Sequence, residues 1–469
     1  MRSSCFSLLL ISVASGTNAL SLHRRDVPAV VELPVQRRHT SAQSLRKRDS
    51  TVDLALTNAE ILYVVNVTLG TPPQPFSLQL DTGSSDLWVN AVNQTVPGPA
   101  FDAKSSSTYT ALEITLNDTY VDKSTAFGPY GTDTLGLGGV TIDDFEFESI
   151  PGVAGLAGVG YKTITSASAF DKKPYDNLPY ALADKGIIKS PAYSLWLNDL
   201  RANSGTILFG GVNKAKYIGE LQTLPIIPIG STYVNLAIAL TEVSVQGSTG
   251  SNSYTTSLPL PVTLDSGTSL TLLPESLANN ILNEVNASFN ATLQQSVVDC
   301  EVANKDYNVT YSFSGATITV GIKELVAPDP QNRLPENTCI FGIMPGSESD
   351  GSSALLGDTF LRSAYVVYDL GNNEISIANT NFNPGDDDIL EIGTGVTAVP
   401  GATPVTSAIS ILASQTPSSR VVPSSATAIP TATQSSTATP KPSTGAAAIP
   451  SINAKYLLSG LAGVGLLMV

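Results

Sequence analysis

Two short segments carry residue types that do chemistry: Leu78-Gln-Leu-Asp81-Thr-Gly-Ser84 and Val262-Thr-Leu-Asp265-Ser-Gly-Thr268. Each is an apolar, strand-like run ending in Asp-(Thr/Ser)-Gly-(Ser/Thr), and the two aspartates stand 184 positions apart. If two similar halves of the chain each bring one carboxylate to a shared centre, both cannot ionise, and they hold one proton between them. One then acts as base toward water and the other as acid toward a carbonyl oxygen. That chemistry hydrolyses a peptide bond without a metal or a side-chain nucleophile. A single such triplet is an ordinary turn after a strand, but a matched pair is far less common by chance.

The neighbouring residues suit the task. Gly83 and Gly267 permit a tight loop that turns both carboxylates inward. Thr82 and Ser266 can hydrogen-bond across the junction between the halves. Ser84 and Thr268 can donate to the outer carboxylate oxygens and hold them ionised.

Both histidines, His23 and His39, fall in a basic leader that is expected to be removed. Without them the body has no Ser-His-Asp or Cys-His arrangement and no His-liganded zinc site, so neither metal nor cofactor is expected. Met1-Arg2, the apolar run through Ile11 and Val13, and small residues to Ala19 read as a signal peptide, residues 1–19. Residues 20–48 carry Arg24-Arg25, Arg37-Arg38 and Arg46-Lys47-Arg48 and read as a pro-segment outside the mature fold, with Asp49 as the mature start. It is expected to dock on the acidic body and cover the cleft until acidification or cleavage frees it.

Residues 1–48 hold 8 Lys/Arg and 2 Asp/Glu, which leaves 17 basic and 38 acidic residues, a formal charge of −21, in the remainder. So acidic a surface argues against nucleic acid as a partner and favours solubility outside the cell. Cys300 and Cys339 most simply form one disulfide, with two free thiols as the alternative. Sequons at Asn66, Asn93, Asn117, Asn286, Asn290 and Asn308 add to the secretory reading.

Elements that position the aspartates are short β-like runs, broken by Gly, Asn, Asp and Pro, from about Thr51 to Phe382. They include Ile61–Leu69, Phe76–Leu80, Thr206–Phe209, Val262–Leu264, Thr317–Val320 and Tyr365–Tyr368. Ser276–Phe289 and Tyr175–Lys185 are the better helix candidates, so an all-β domain follows. A weak repeat supports duplication: Val153-Ala-Gly155 trails Asp81 and Leu355-Leu-Gly357 trails Asp265, and glycine there lets backbone pass close to the aspartate loop. Lobes are expected over 49–225 and 226–383. Residues 384–450, rich in Ser, Thr, Pro and Ala, read as an extended, O-glycosylated stalk. Residues 451–469 read as a glycolipid-anchor signal, with attachment near Gly445.

Longer stretches carry a resemblance. Leu80-Asp-Thr-Gly-Ser-Ser-Asp-Leu-Trp88-Val, Leu264-Asp-Ser-Gly-Thr-Ser-Leu-Thr271 and Leu355-Leu-Gly-Asp-Thr-Phe-Leu-Arg-Ser-Ala-Tyr365-Val-Val-Tyr-Asp369 resemble the pepsin-like aspartic proteases. So do Asn177-Leu-Pro-Tyr-Ala-Leu182, Tyr193-Ser-Leu-Trp-Leu197 and Gly205-Thr-Ile-Leu-Phe-Gly-Gly211, and the likeness is nearer to the fungal GPI-anchored, yapsin-like branch. It spans about residues 58–383. It implies a bilobal fold of two pseudo-symmetric β lobes with the cleft between them, and Asp81 and Asp265 as the catalytic dyad. It also implies a β-hairpin flap whose Tyr closes over substrate near Trp88. Tyr120, with Asp122, occupies that tip, since Tyr130-Gly-Thr-Asp-Thr-Leu is similar to the stretch that follows the flap. Lys123 replaces the usual glycine. Cys300 and Cys339 match the family's second-lobe disulfide.

The expected function is therefore that of a secreted, GPI-anchored aspartic endopeptidase. It is a monomer acting on peptides or proteins at the outer plasma membrane or cell wall, with its own pro-segment as a partner. The alternatives are a catalytically silent binding protein of the same fold or a structural wall glycoprotein. Both leave the intact paired motifs unexplained.

Overall fold

The computed structural model describes residues 28–39, 61–92, 99–119, 125–150, 155–167, 174–202, 204–248, 250–329, 332–346 and 354–410. Ile61–Leu69 is a strand over the span read from sequence. The other expected runs lengthen by two or three residues into Gln74–Asp81, Ser204–Phe209, Leu260–Leu264, Ala316–Gly321 and Ala364–Asp369. The helix Glu275–Val285 buries Leu277, Ala278, Ile281, Leu282 and Val285, a stripe at helical spacing, and ends at Asn286 in the left-handed region (φ 59°). Leu178–Asp184 is shorter than its sequence signal; Pro179 sits in its first turn, where a missing N–H costs nothing.

The mostly β architecture is built from one local pattern used twice. In the first half, Gln74–Asp81 runs parallel to Leu156–Gly158, with Leu80 opposite Ala157. That strand is antiparallel to Leu87–Asn90, which is parallel to Val140–Ile150. In the second half, Leu260–Leu264 runs parallel to Ala354–Leu356, with Leu264 opposite Leu356. That strand is antiparallel to Thr271–Pro274, which is parallel to Ile343–Gly346. Each pattern delivers one aspartate at the end of a buried strand.

Leu355-Leu-Gly357 takes the place expected of it, but its first-half counterpart is Leu156-Ala-Gly158, three residues beyond Val153-Ala-Gly155. Of the latter triplet only Gly155 lies within the described residues. Gly158 stands opposite Asp81 in the strand register, and a side chain at 158 would meet the backbone of Ser85 and Asp86 at 2.6–2.7 Å.

Two segments assigned to extensions belong to the folded body. Val31–His39, expected outside the fold, is a strand between Ser204–Phe209 and Ile61–Leu69 in the central sheet. Its alternation explains why: Val31, Leu33 and Val35 point into the core, where burial stabilises by roughly 1.5–3 kcal/mol each. The stalk assignment also begins too early. Ile389–Glu391 pairs with Gly211–Asn213, and Ala402–Pro404 pairs in parallel with Tyr217–Pro225 and forms the edge of that sheet. Ile392, Ala398 and Val399 are buried against Trp196, Val212, Tyr217 and Tyr365. Low aromatic content hid this strap, because a handful of apolar residues suffices when the sheet supplies the other surface. Residues 1–27 and 411–469, with Gly445, lie outside the described residues.

Cys300 and Cys339 form a disulfide with Cα atoms 5.0 Å apart. It joins a short helical turn to the strand Thr338–Phe341, whose Cys339 lies opposite Val298.

Candidate active site

Asp81 and Asp265 come together where the two halves meet, and both are buried at 1% exposure. Their loops repeat one pattern. The N–H of Gly83 donates to Asp81 Oδ1 and that of Gly267 to Asp265 Oδ1, each at 2.8 Å. Ser84 Oγ donates to Asp81 Oδ2 through a short bond, and Thr268 Oγ1 donates to Asp265 Oδ2 at 2.6 Å.

The glycines are a steric requirement. A Cβ on Gly83 would lie 2.6 Å from Asp265 Oδ1, and one on Gly267 would collide with Asp81 Oδ1. Each glycine therefore admits the carboxyl of the opposite half.

Thr82 and Ser266 lock the loops to each other, as their types suggested. Thr82 Oγ1 donates to the carbonyl of Leu264 at 2.8 Å and accepts from the N–H of Ser266 at 3.0 Å. Ser266 Oγ donates to the carbonyl of Leu80 at 2.9 Å and accepts from the N–H of Thr82 at 3.2 Å. These four bonds fix the two carboxyls relative to one another without using the carboxyls themselves.

Burial pushes Asp81 well above the ordinary aspartate value of 3.8, and the charge of Asp265 pushes it further; Ser84 and Gly83 oppose this. Burial likewise raises Asp265, against the donors Thr268, Asp81 and Gly267. The pair therefore keeps one proton through the acidic range, with the outer oxygens stabilised as charge and the inner oxygens sharing the proton. Such a pair offers a base and an acid side by side, which suits attack of water on a polarised carbonyl.

Trp88 is buried in Leu87–Asn90. The strands Thr110–Thr119 and Thr125–Leu137 pair antiparallel, ending with Thr119 opposite Thr125. Tyr120 and Asp122 lie between them in sequence, outside the described residues. Tyr130 is fully buried opposite Glu148 and meets Tyr175 edge-on at 6.2 Å, a core position. Among the sequons, Asn66 and Asn286 are exposed, Asn290 and Asn308 half-buried, Asn117 lies in the strand Thr110–Thr119, and Asn93 lies outside the described residues.

The loop motifs alone do not reveal three supporting residues. Gln79 Nε2 donates to the carbonyl of Gly267 at 3.0 Å, a further bond between the halves. Tyr368 Oη donates to the carbonyl of Leu264 at 3.3 Å from beneath, and Tyr193 stacks on its ring at 5.0 Å. Gln79 had a signal: it is a polar residue between Leu78 and Leu80, two positions before Asp81. The tyrosines had none beyond β propensity.

Comparison with known proteins agrees with this geometry. Residues 62–380 match the eukaryotic aspartyl protease family. The chain is 44% identical, over 99% of its length and 99% of the relative's, to a probable aspartic-type endopeptidase opsB of Aspergillus oryzae. It is 46% identical to the opsB of Aspergillus fumigatus over 87% of this chain and 88% of that one. It is 36% identical to secreted aspartic protease 8 of Candida albicans over 72% and 80% respectively. With a matched pair of buried aspartate loops and a family match spanning both halves, the chain belongs to the eukaryotic aspartyl protease family.

Proposed function

We propose that this aspartic endopeptidase is made as a secreted zymogen and held at the cell surface by a glycolipid anchor, with Asp81 and Asp265 as its catalytic pair. The observation that carries the catalytic part is the crossing of the loops: each glycine makes room for the opposite carboxyl, and each carboxyl has its own hydroxyl and N–H donors. A water between the inner oxygens gives a proton to the ionised carboxylate and attacks the scissile carbonyl. The protonated partner donates to the carbonyl oxygen, a tetrahedral diol forms, and a proton passes to the leaving nitrogen as the C–N bond breaks.

Secretion is supported by the signal-like N-terminus and the cysteine pair, and anchoring by the Ser/Thr/Pro-rich segment before an apolar tail with small residues at Gly445-Ala-Ala447. The zymogen reading rests on Arg46-Lys47-Arg48, which follows Val31–His39. Cutting there severs a core strand from the body. The antiparallel pairing of Thr110–Thr119 with Thr125–Leu137, between which Tyr120 lies in sequence, supports Tyr120 as the flap residue. The likeness to the yapsin-like branch raises the reading that basic residues flank the cleaved bond.

A mixed peptide library, digested from about pH 3 to pH 7 with and without pepstatin, tests the activity and reads the preference directly. Acid-favoured, pepstatin-sensitive cleavage supports the reading; intact peptides at every pH refute it. Release of the protein from cells by a phosphatidylinositol-specific phospholipase tests the anchor.

A further inference from the structure

An open groove of about 670 Å³ shares no lining residue with the dyad loops, and the mechanism above does not use it. Thr68, Pro75 and Ser77, from the paired strands Ile61–Leu69 and Gln74–Asp81, form one wall. Gly139, Val140 and Thr141, at the tight turn between Thr125–Leu137 and Val140–Ile150, form the other. The walls meet where Thr68 pairs with Gly136, and glycine allows that approach: a Cβ at 136 would lie 2.5 Å from Thr68 Oγ1. A Cβ at Gly139 would meet nothing within 4 Å, so the turn leaves its side of the groove open.

Asn66 is exposed, lines this groove and opens the sequon Asn66-Val67-Thr68. Sequence alone sets it level with the other sequons, and the structure separates it from them. Its Oδ1 accepts from Ser77 Oγ at 2.6 Å, so Nδ2, the atom that carries a glycan, is not the one held by the sheet. Asn290 by contrast closes a local turn, its Oδ1 accepting from the N–H groups of Thr292 and Leu293 at 3.0 and 3.1 Å. No other sequon asparagine lines the groove. The lining suits a sugar, which has a face of C–H groups and a rim of hydroxyls. Pro75, Val140 and the backbone of Gly138-Gly139 offer apolar surface, Thr68, Ser77 and Thr141 offer hydroxyls, and no ionisable residue is present. The volume is that of a pocket for a small organic ligand.

We propose that the groove is the seat of an N-linked glycan on Asn66, whose first sugars lie against Pro75 and Val140 instead of extending into solvent. This rests on the secretory reading above, since the glycan is added in the secretory pathway. The covalent tether makes docking intramolecular, so weak contacts suffice to hold the sugars in place. Gly136 and Leu137, which line the groove, end the strand that follows Tyr120 in sequence, Thr125–Leu137. The seated glycan therefore braces the far end of that strand against Ile61–Leu69, where Thr68 and Leu69 pair with it.

The test uses the full chain secreted from a fungal host, and it reads no proteolytic activity. Peptide mass mapping should find Asn66 occupied. Endoglycosidase H should trim that glycan from the folded protein about tenfold or more slowly than the glycans at other occupied sites, because only the undocked fraction is cut. After denaturation the rates should be equal. Thr141→Trp, at an exposed position on the groove wall, fills the seat and should bring the Asn66 rate up to that of the other sites. Three results overturn the proposal: a chain glycosylated elsewhere with Asn66 unoccupied, an Asn66 glycan trimmed from the folded protein as fast as the others, or a slow rate that Thr141→Trp leaves unchanged. A chain unoccupied at every sequon overturns the secretory reading along with it.

Discussion

Replacing Thr268 with valine removes one hydroxyl from the active centre and leaves its shape. That hydroxyl donates to Asp265 Oδ2 at 2.6 Å, between two buried side chains. A hydrogen bond to a charged group contributes about 1.5–3 kcal/mol, which corresponds to roughly one to two pH units on the acceptor. The direction follows from the donor's preference for the ionised form. Without the donor, Asp265 binds its proton more tightly, and the singly ionised pair that works on substrate forms at higher pH. The acid limb of kcat/KM in Thr268→Val should therefore move up by roughly one unit or more, with KM near the wild-type value if binding is otherwise intact. A fluorogenic peptide assayed from about pH 2.5 to pH 7 reads this, with circular dichroism to confirm folding. Ser84→Ala should shift the same limb in the same direction through Asp81. A downward shift, or an unshifted limb with a folded protein, would refute the reasoning that the outer donors set the dyad's ionisation.

Three further outcomes are expected. Leu33→Asp in the uncut chain places a charge in the core and should cost about 3 kcal/mol or more, seen as a lower denaturation midpoint; an unchanged midpoint would mean Val31–His39 does not occupy the central sheet. A chain ending at Asn383 loses Ile392 and Val399 from the core. Against a chain ending at Ser410, that is about 4 kcal/mol, or roughly 5 °C in melting temperature for a body of about 380 residues; equal melting temperatures would contradict the strap. Asp81→Asn should melt higher than the wild type near pH 7, with the gap closing toward pH 4. Both dyad carboxyls are raised in the folded state, so their contribution is fully present below the unfolded value near 3.8 and is lost as pH rises through the folded one. A gap that widens toward acid would reverse that sign.

How much the sequence disclosed depended on where the information sits. The aspartate loops were legible because glycine and hydroxyl residues beside a carboxylate have local reasons that tertiary contact only completes: Gly83, Gly267, Ser84 and Thr268 all take the parts their types allow. Strand existence was legible from β-branched runs. The first-half repeat was misplaced by three residues because Val153-Ala-Gly155 and Leu156-Ala-Gly158 look alike, and only the register against Asp81 separates them. Charge and paired arginines hid Val31–His39, where three apolar residues on one face outweigh a basic composition. Sparse hydrophobicity hid the strap for the same reason, since its partner surface comes from distant strands.

Whether Asp81 and Asp265 act as one catalytic unit is decided by comparing the wild type with Asp81→Asn, Asp265→Asn and the double variant on a single peptide across the acidic range. Each variant is expected to fold, retain the disulfide and lose essentially all cleavage, on the order of a thousandfold or more, with the double variant no worse than either alone. A single variant that keeps near wild-type kcat/KM, or two losses that simply multiply in the double variant, would contradict a single unit.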